Sequence, residues 1–172
     1  MCSPPRSLED HHEQQRSHPL DPRGVPFIDY EREFDFPVED VFRAHKDPDL
    51  VAQWLGPRGL EMKIEEYDLR TGGSYRYEHS DDSGSYRFAG VFHTVRENEL
   101  IVQTFEYLGF PDVVSLETLT FVDLGNGRCR LVGHSVYPSQ EARDGMAESG
   151  METGLTEGFE RLEELLAGST KR

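Results

Sequence analysis

The chain reads as an α+β domain in which a curved antiparallel β-sheet wraps around a long C-terminal α-helix, with two short helices after the first strand. Three observations predict this. Met151, Leu155, Phe159, Leu162 and Leu166 recur at helical spacing and form one apolar stripe. Between Glu61 and Tyr137 the sequence runs as successive strand patterns broken by turn-forming clusters, the signature of an antiparallel meander. Gly90 falls inside one of those strands and signals the bulge or bend that lets a sheet curve.

The first strand is expected over Pro26 to Phe34, where Asp29, Glu31 and Glu33 alternate with Ile28, Tyr30, Arg32 and Phe34. Arg32 is a permanent charge on the apolar side, so it requires a carboxylate or several carbonyls nearby. It is either half of a structural ion pair or an anchor for a ligand's carboxylate or phosphate. Pro37 suits a first helical turn, and Val38, Val41 and Phe42 give that short helix an apolar face. A second short helix is capped by Asp47, carries the pairs Leu50/Trp54 and Val51/Leu55, and stops at Gly56-Pro57. Trp54 is either core or one lip of a cavity.

Six strands follow, at Glu61 to Tyr67, Ser74 to His79, Ser85 to Val95, Glu99 to Tyr107, Val113 to Phe121 and Arg128 to Tyr137. Tyr75, Tyr77 and His79 share one face, and Tyr86, Phe88, Phe92, Phe105 and Tyr107 extend the aromatic theme. Such a surface offers apolar area with a few polar handles, or it is a filled core with hydroxyls at its edge. If Leu119 and Phe121 point inward then so does Glu117, as Arg32's partner or as a carboxylate with a raised pKa; otherwise Glu117 is a solvated surface residue. His134 poses the same alternative.

The final helix is expected from Ser139, its N-cap, to Leu166, with Gly168 as a stop. Gly150, Gly154 and Gly158 lie beside its apolar stripe. Three glycines within a helix cost about 3 kcal/mol. Either Gly150 ends a first helix (Gln140 to Ser149) and the others admit close sheet packing, or the row opens a groove for a ligand.

With 33 acidic against 18 basic residues the formal charge is −15, which argues against nucleic acid and anionic membrane as partners. Cys2 and Cys129 form no metal-type pair, no apolar run reaches membrane-spanning length, and a cytoplasmic location is the default. Residues 1–25 read as a flexible polar tail, 26–168 as one domain and 169–172 as a C-terminal tail. His11, His12 and His18 are read as part of that tail rather than as a metal site.

The order strand, two short helices, six-strand meander and long helix resembles the helix-grip fold of the START and polyketide-cyclase superfamily. Residues 31–44, ERE-FDFPVEDVFRA, are similar to the entry segment of bacterial domains named after the activator of the heat-shock protein 90 ATPase. Asp47-Pro48-Asp49-Leu50 with Trp54-Leu55-Gly56-Pro57 resembles that family's second-helix signature, and Leu69-Arg70-Thr71-Gly72-Gly73 its strand-connecting turn. Ser149-Gly150-Met151-Glu152 through Gly158-Phe159 and Arg161-Leu162 resembles its last helix. His79 departs from the pattern, which usually has an apolar residue there. The resemblance implies a cavity between sheet and helix that takes a small apolar or amphipathic molecule.

The leading expectation is therefore a protein that binds a small hydrophobic molecule, with Arg32, Trp54, Tyr75, Tyr77, His79, Phe88, Phe105, Tyr107, Met151, Leu155 and Phe159 as contacts. It calls for a cavity of at least roughly 300 Å³. No nucleophile elbow, phosphate loop, zinc-protease motif or dinucleotide fingerprint is present, and no cofactor or metal is expected. The reading leans away from an enzyme. The alternatives are a polyketide-cyclase-like or dehydratase-like enzyme on an aromatic substrate, with acid-base chemistry from His79, Tyr77 or Glu117, and a stress-related or chaperone-linked interaction module. A homodimer is compatible with the sequence, and a chaperone partner is not the expectation.

Overall fold

The computed structural model describes residues 24–169. The two expected tails fall almost wholly outside the described residues, as do His11, His12 and His18. In chain order the elements are β1 (Phe27–Phe34), α1 (Val38–Lys46), α2 (Pro48–Trp54), β2 (Glu61–Tyr67), β3 (Ser74–Asp81), β4 (Gly84–Arg96), β5 (Leu100–Tyr107), β6 (Val114–Gly125), β7 (Arg128–Val136), α3 (Gln140–Glu148) and α4 (Met151–Ser169). The strands form one antiparallel sheet in the order β1-β7-β6-β5-β4-β3-β2. Each meander strand pairs with its sequence neighbour, and β1 is the one that must return from far away to close on β7. This is the expected helix-grip arrangement.

Period-two alternation decides which side chains meet the helices. Ile28, Tyr30, Arg32 and Phe34 of β1 are buried, as are Tyr75, Tyr77 and His79 of β3 and Cys129, Leu131 and Ser135 of β7. On β6, Leu119 and Phe121 point inward, so Glu117 does too. His134 points outward, its Nδ1 2.5 Å from Asp29 Oδ1 and its ring against Phe27.

Of the two readings of the C-terminal segment, the structure has the one in which Gly150 ends a first helix. Ser139 caps α3 by accepting from the Ala142 amide, and Gly150, at φ +91°, turns the chain before α4 begins. A side chain at that φ would be strained, so a glycine belongs there. Gly168 does not end α4, which continues to Ser169.

The glycine row of α4 opens no ligand groove. Gly154 and Gly158 face the α2–β2 loop, where a Cβ on Gly158 would come 3.4 Å from the Gly56 nitrogen and 3.5 Å from the Trp54 carbonyl oxygen. Arg161 fastens the same contact, donating to the carbonyls of Gln53 (2.7 Å), Gly56 (3.2 Å) and Pro57 (3.3 Å). These include the end of α2, whose last carbonyls have no partner within the helix. The backbone amide of Arg58 donates to Glu157 (2.7 Å), closing the clamp.

Candidate functional site

Between the sheet and α4 lies a hollow of about 190 Å³, with part of its wall open to solvent. Several local devices hold that wall. Trp54 Nε1 donates to the Ala44 carbonyl (2.8 Å) and the Tyr67 hydroxyl to the His45 carbonyl (2.5 Å), so the end of α1 is satisfied by side chains that also border the hollow. Tyr30 lies over Gly133 and Tyr75 over Gly90, positions on the neighbouring strand where any Cβ would collide with the ring. The bulge expected at Gly90 falls instead between Phe92 and Thr94, and Gly90 itself seats a tyrosine. At the other end Met146 of α3 and Met151 of α4 flank the Gly150 turn and line the hollow with Tyr137 and Leu155.

Glu117 is the ionisable acid of this wall. It is enclosed by protein yet keeps a face on the hollow, and burial pushes its carboxyl above the usual carboxylate range, only partly offset by hydrogen bonds from Gln103 and Ser135. Gln103 Nε2 donates to Glu117 Oε2 at 2.9 Å. Burial, and then the charge of Glu117, raises the hydroxyl pKa values of Tyr30, Tyr75, Tyr77 and Tyr137, so these phenols stay protonated. The Tyr75 hydroxyl donates to the Thr104 carbonyl (2.6 Å). Those of Tyr30 and Tyr77 have no hydrogen-bond partner among the described residues. His45 is held neutral, with its pKa pushed down to about 4 by burial; its Nδ1 lies 2.7 Å from the Val41 carbonyl, which can only accept, so the ring proton sits there and Nε2 is an acceptor.

Of the residues singled out from sequence, Trp54, Tyr75, Tyr77, Phe105, Glu117, Met151, Leu155 and Phe159 line the hollow. Arg32, His79, Phe88 and Tyr107 do not. Arg32 leaves the site because α4 supplies a carboxylate first: its Nη2 lies 2.9 Å from Glu163 Oε1. This settles its pairing in favour of the structural ion pair, with Glu163 rather than Glu117. His79 is buried beneath the Gly56 turn, edge-on to Tyr77, and its Nδ1 has no hydrogen-bond partner among the described residues. Burial and the nearby Arg161 charge bring its pKa down to about 4. Phe88 stacks behind Tyr77 and Phe105 and against Tyr107, forming a second aromatic layer toward the sheet's end. The hollow is also smaller than expected, because Phe159 reaches across to Tyr30, Phe34 and Trp54 and occupies part of it.

Sequence reasoning missed Tyr30, His45, Gln103 and Tyr137. Tyr30 and Tyr137 sat in recognised strands, but nothing local ranked them above other aromatic residues. Gln103 becomes notable only through its cross-strand register with Glu117.

The chain resembles several solved structures. A protein from Rhodobacter sphaeroides superposes with a TM-score of 0.77 at 25% identity, over 86% of this chain and 97% of its own. One from Arthrobacter aurescens gives a TM-score of 0.76 at 24% identity, over 84% and 87%. DynU16, a protein in the dynemicin biosynthetic locus, shares the fold with a TM-score of 0.62 at 20% identity, over 83% of this chain and 47% of its own. No curated protein matches the chain. The family model described as Activator of Hsp90 ATPase homolog 1-like protein matches residues 35–167, which covers both short helices, the meander and nearly all of α4. The chain therefore belongs to the family of Activator of Hsp90 ATPase homolog 1-like proteins.

Proposed function

We propose that this protein binds a small, mainly apolar organic molecule in the hollow between the sheet and α4. The observation that carries the reading is a space of about 190 Å³ walled by aromatic side chains with one carboxyl facing into it. Cavities of roughly 150 Å³ already accept a benzene ring, so a single ring with one short substituent is the fitting size. Larger polycyclic molecules would require α3 or Phe159 to move.

Trp54 is the protein's only tryptophan and lines the hollow, so its fluorescence is a built-in reporter. Titration with benzyl alcohol should change Trp54 emission saturably, and Leu155→Phe, which fills the space, should weaken the response. An emission insensitive to the probe, together with unchanged amide chemical shifts around the hollow, would count against binding.

An acid-base enzyme on an aromatic substrate is the second reading, favoured by a buried carboxyl among protonated phenols. Its groups are Glu117 and Tyr77, without His79, which stands outside the lining.

A further inference from the structure

We propose that the molecule held in the hollow is a small organic cation, an ammonium attached to an aromatic or aliphatic body, with its charge against Glu117. This rests on the binding reading above and narrows its ligand class. The balance of charge and of hydrogen-bonding roles on the wall favours that class. Among the described residues no lysine or arginine lines the hollow, and its ionisable acid is Glu117. An anionic guest would give up much of its hydration there, meet no opposite charge and face the Glu117 carboxyl, which is costly.

The other polar groups agree with this. His45 spends its ring proton on the Val41 carbonyl and offers an acceptor at Nε2. Gln103 turns its amide nitrogen toward Glu117 and leaves its own carbonyl as an acceptor. Tyr75 donates to Thr104 and Tyr67 to His45, so both hydroxyls retain lone pairs. These fixed acceptors suit a guest that donates, and an ammonium offers up to three N–H bonds; the protonated Tyr30 and Tyr77 hydroxyls, which can donate or accept, can turn their lone pairs to it.

Trp54 and Phe105, whose rings line the hollow, supply the remaining complement, since aromatic quadrupoles attract a cation held over the ring. The titratable groups that share the lining with Glu117 are Tyr30 on β1, His45 on α1, Tyr67 on β2, Tyr75 and Tyr77 on β3 and Tyr137 after β7, and none carries positive charge at neutral pH. The formal charge of −15 also enriches cations around the protein before they reach the opening.

Three probes of nearly equal size separate this proposal from the one beneath it: benzylammonium, benzyl alcohol and benzoate, titrated against the full chain and followed by Trp54 emission and calorimetry. A hydrogen bond to a charged group changes affinity by roughly ten- to a hundredfold, so benzylammonium should bind at least about tenfold more tightly than benzyl alcohol, with benzoate weakest. In Glu117→Gln that preference should collapse to about one. If benzyl alcohol binds the native protein as tightly as benzylammonium, the cation proposal is overturned while small-molecule binding stands. If no probe binds, both fall. The native-protein comparison decides the matter even where Glu117→Gln does not fold.

Discussion

The two ends of α4 treat the same apolar stripe in opposite ways. Toward its C-terminus, Leu162 and Leu166 are buried in a core that includes Phe34, Val41 and Phe42. Toward its N-terminus, Met151 and Leu155 are half-buried and border the hollow. Each end also contains a charge on the inner face of the sheet. Arg32 at the solid end is paired with Glu163, whereas Glu117 at the hollow end has only neutral partners, Gln103 and Ser135. The lesson is that helical spacing guarantees a buried face but not a filled one. What fills it depends on how Tyr30 of β1 and Tyr75 of β3 stand over the glycines opposite them.

The sharpest test of this contrast is truncation at both ends. Leu162→Ala, in the solid core, should cost about 3–5 kcal/mol by urea denaturation. Leu155→Ala, beside existing space, should cost under about 2 kcal/mol, because much of the packing it would lose is absent already. Equal costs would mean that the hollow is not a packing defect in solution.

Acid should act on two buried rings, His45 and His79, whose pKa values are brought down to about 4. The unfolded chain takes up their protons near pH 6.5 and the folded chain only near 4. Stability is therefore full above about 6.5 and falls as pH drops toward 4, by up to roughly 3 kcal/mol for each ring. Thermal unfolding across that window checks this. His79→Leu should flatten the profile and, by removing an unpartnered buried nitrogen, should not destabilise the protein at neutral pH.

Removing the carboxylate at the solid end, Glu163→Ala, should cost about 2 kcal/mol, less than a fully buried pair because Glu163 is partly exposed and Arg32 keeps other contacts. The smallest effect belongs to the other charge. Glu117 has a raised folded pKa, so its ionisation opposes folding as pH rises above the unfolded value. Glu117→Gln should therefore raise the stability at neutral pH slightly, by about 1 kcal/mol, with no gain in acid. A loss of stability at neutral pH would show that the Gln103 and Ser135 bonds outweigh the desolvation.

The strands, the two short helices, the Asp47 cap and the apolar stripe were legible in the sequence because each rests on local periodicity or turn chemistry. The inward face of Glu117 followed conditionally, once Leu119 and Phe121 were taken to point inward. The same local logic left the break at Gly150 as one of two alternatives, and it failed at Gly154 and Gly158, where the partner is a loop about a hundred residues away in sequence. It also could not tell His79 from a ligand contact, since only the position of Gly56 removes that ring from the lining.

The sequence by itself determined the elements, their order and which faces are apolar, since these depend on neighbours within a few residues. The tertiary structure alone decided which buried charge is neutralised and which is left facing an empty space. Arg32 meets Glu163 only when segments 131 residues apart are brought to the same depth between sheet and helix, and Glu117 meets Gln103 only through the register of β5 on β6. Electrostatic pairing acts over a few ångströms of space, and no spacing along the chain encodes that distance.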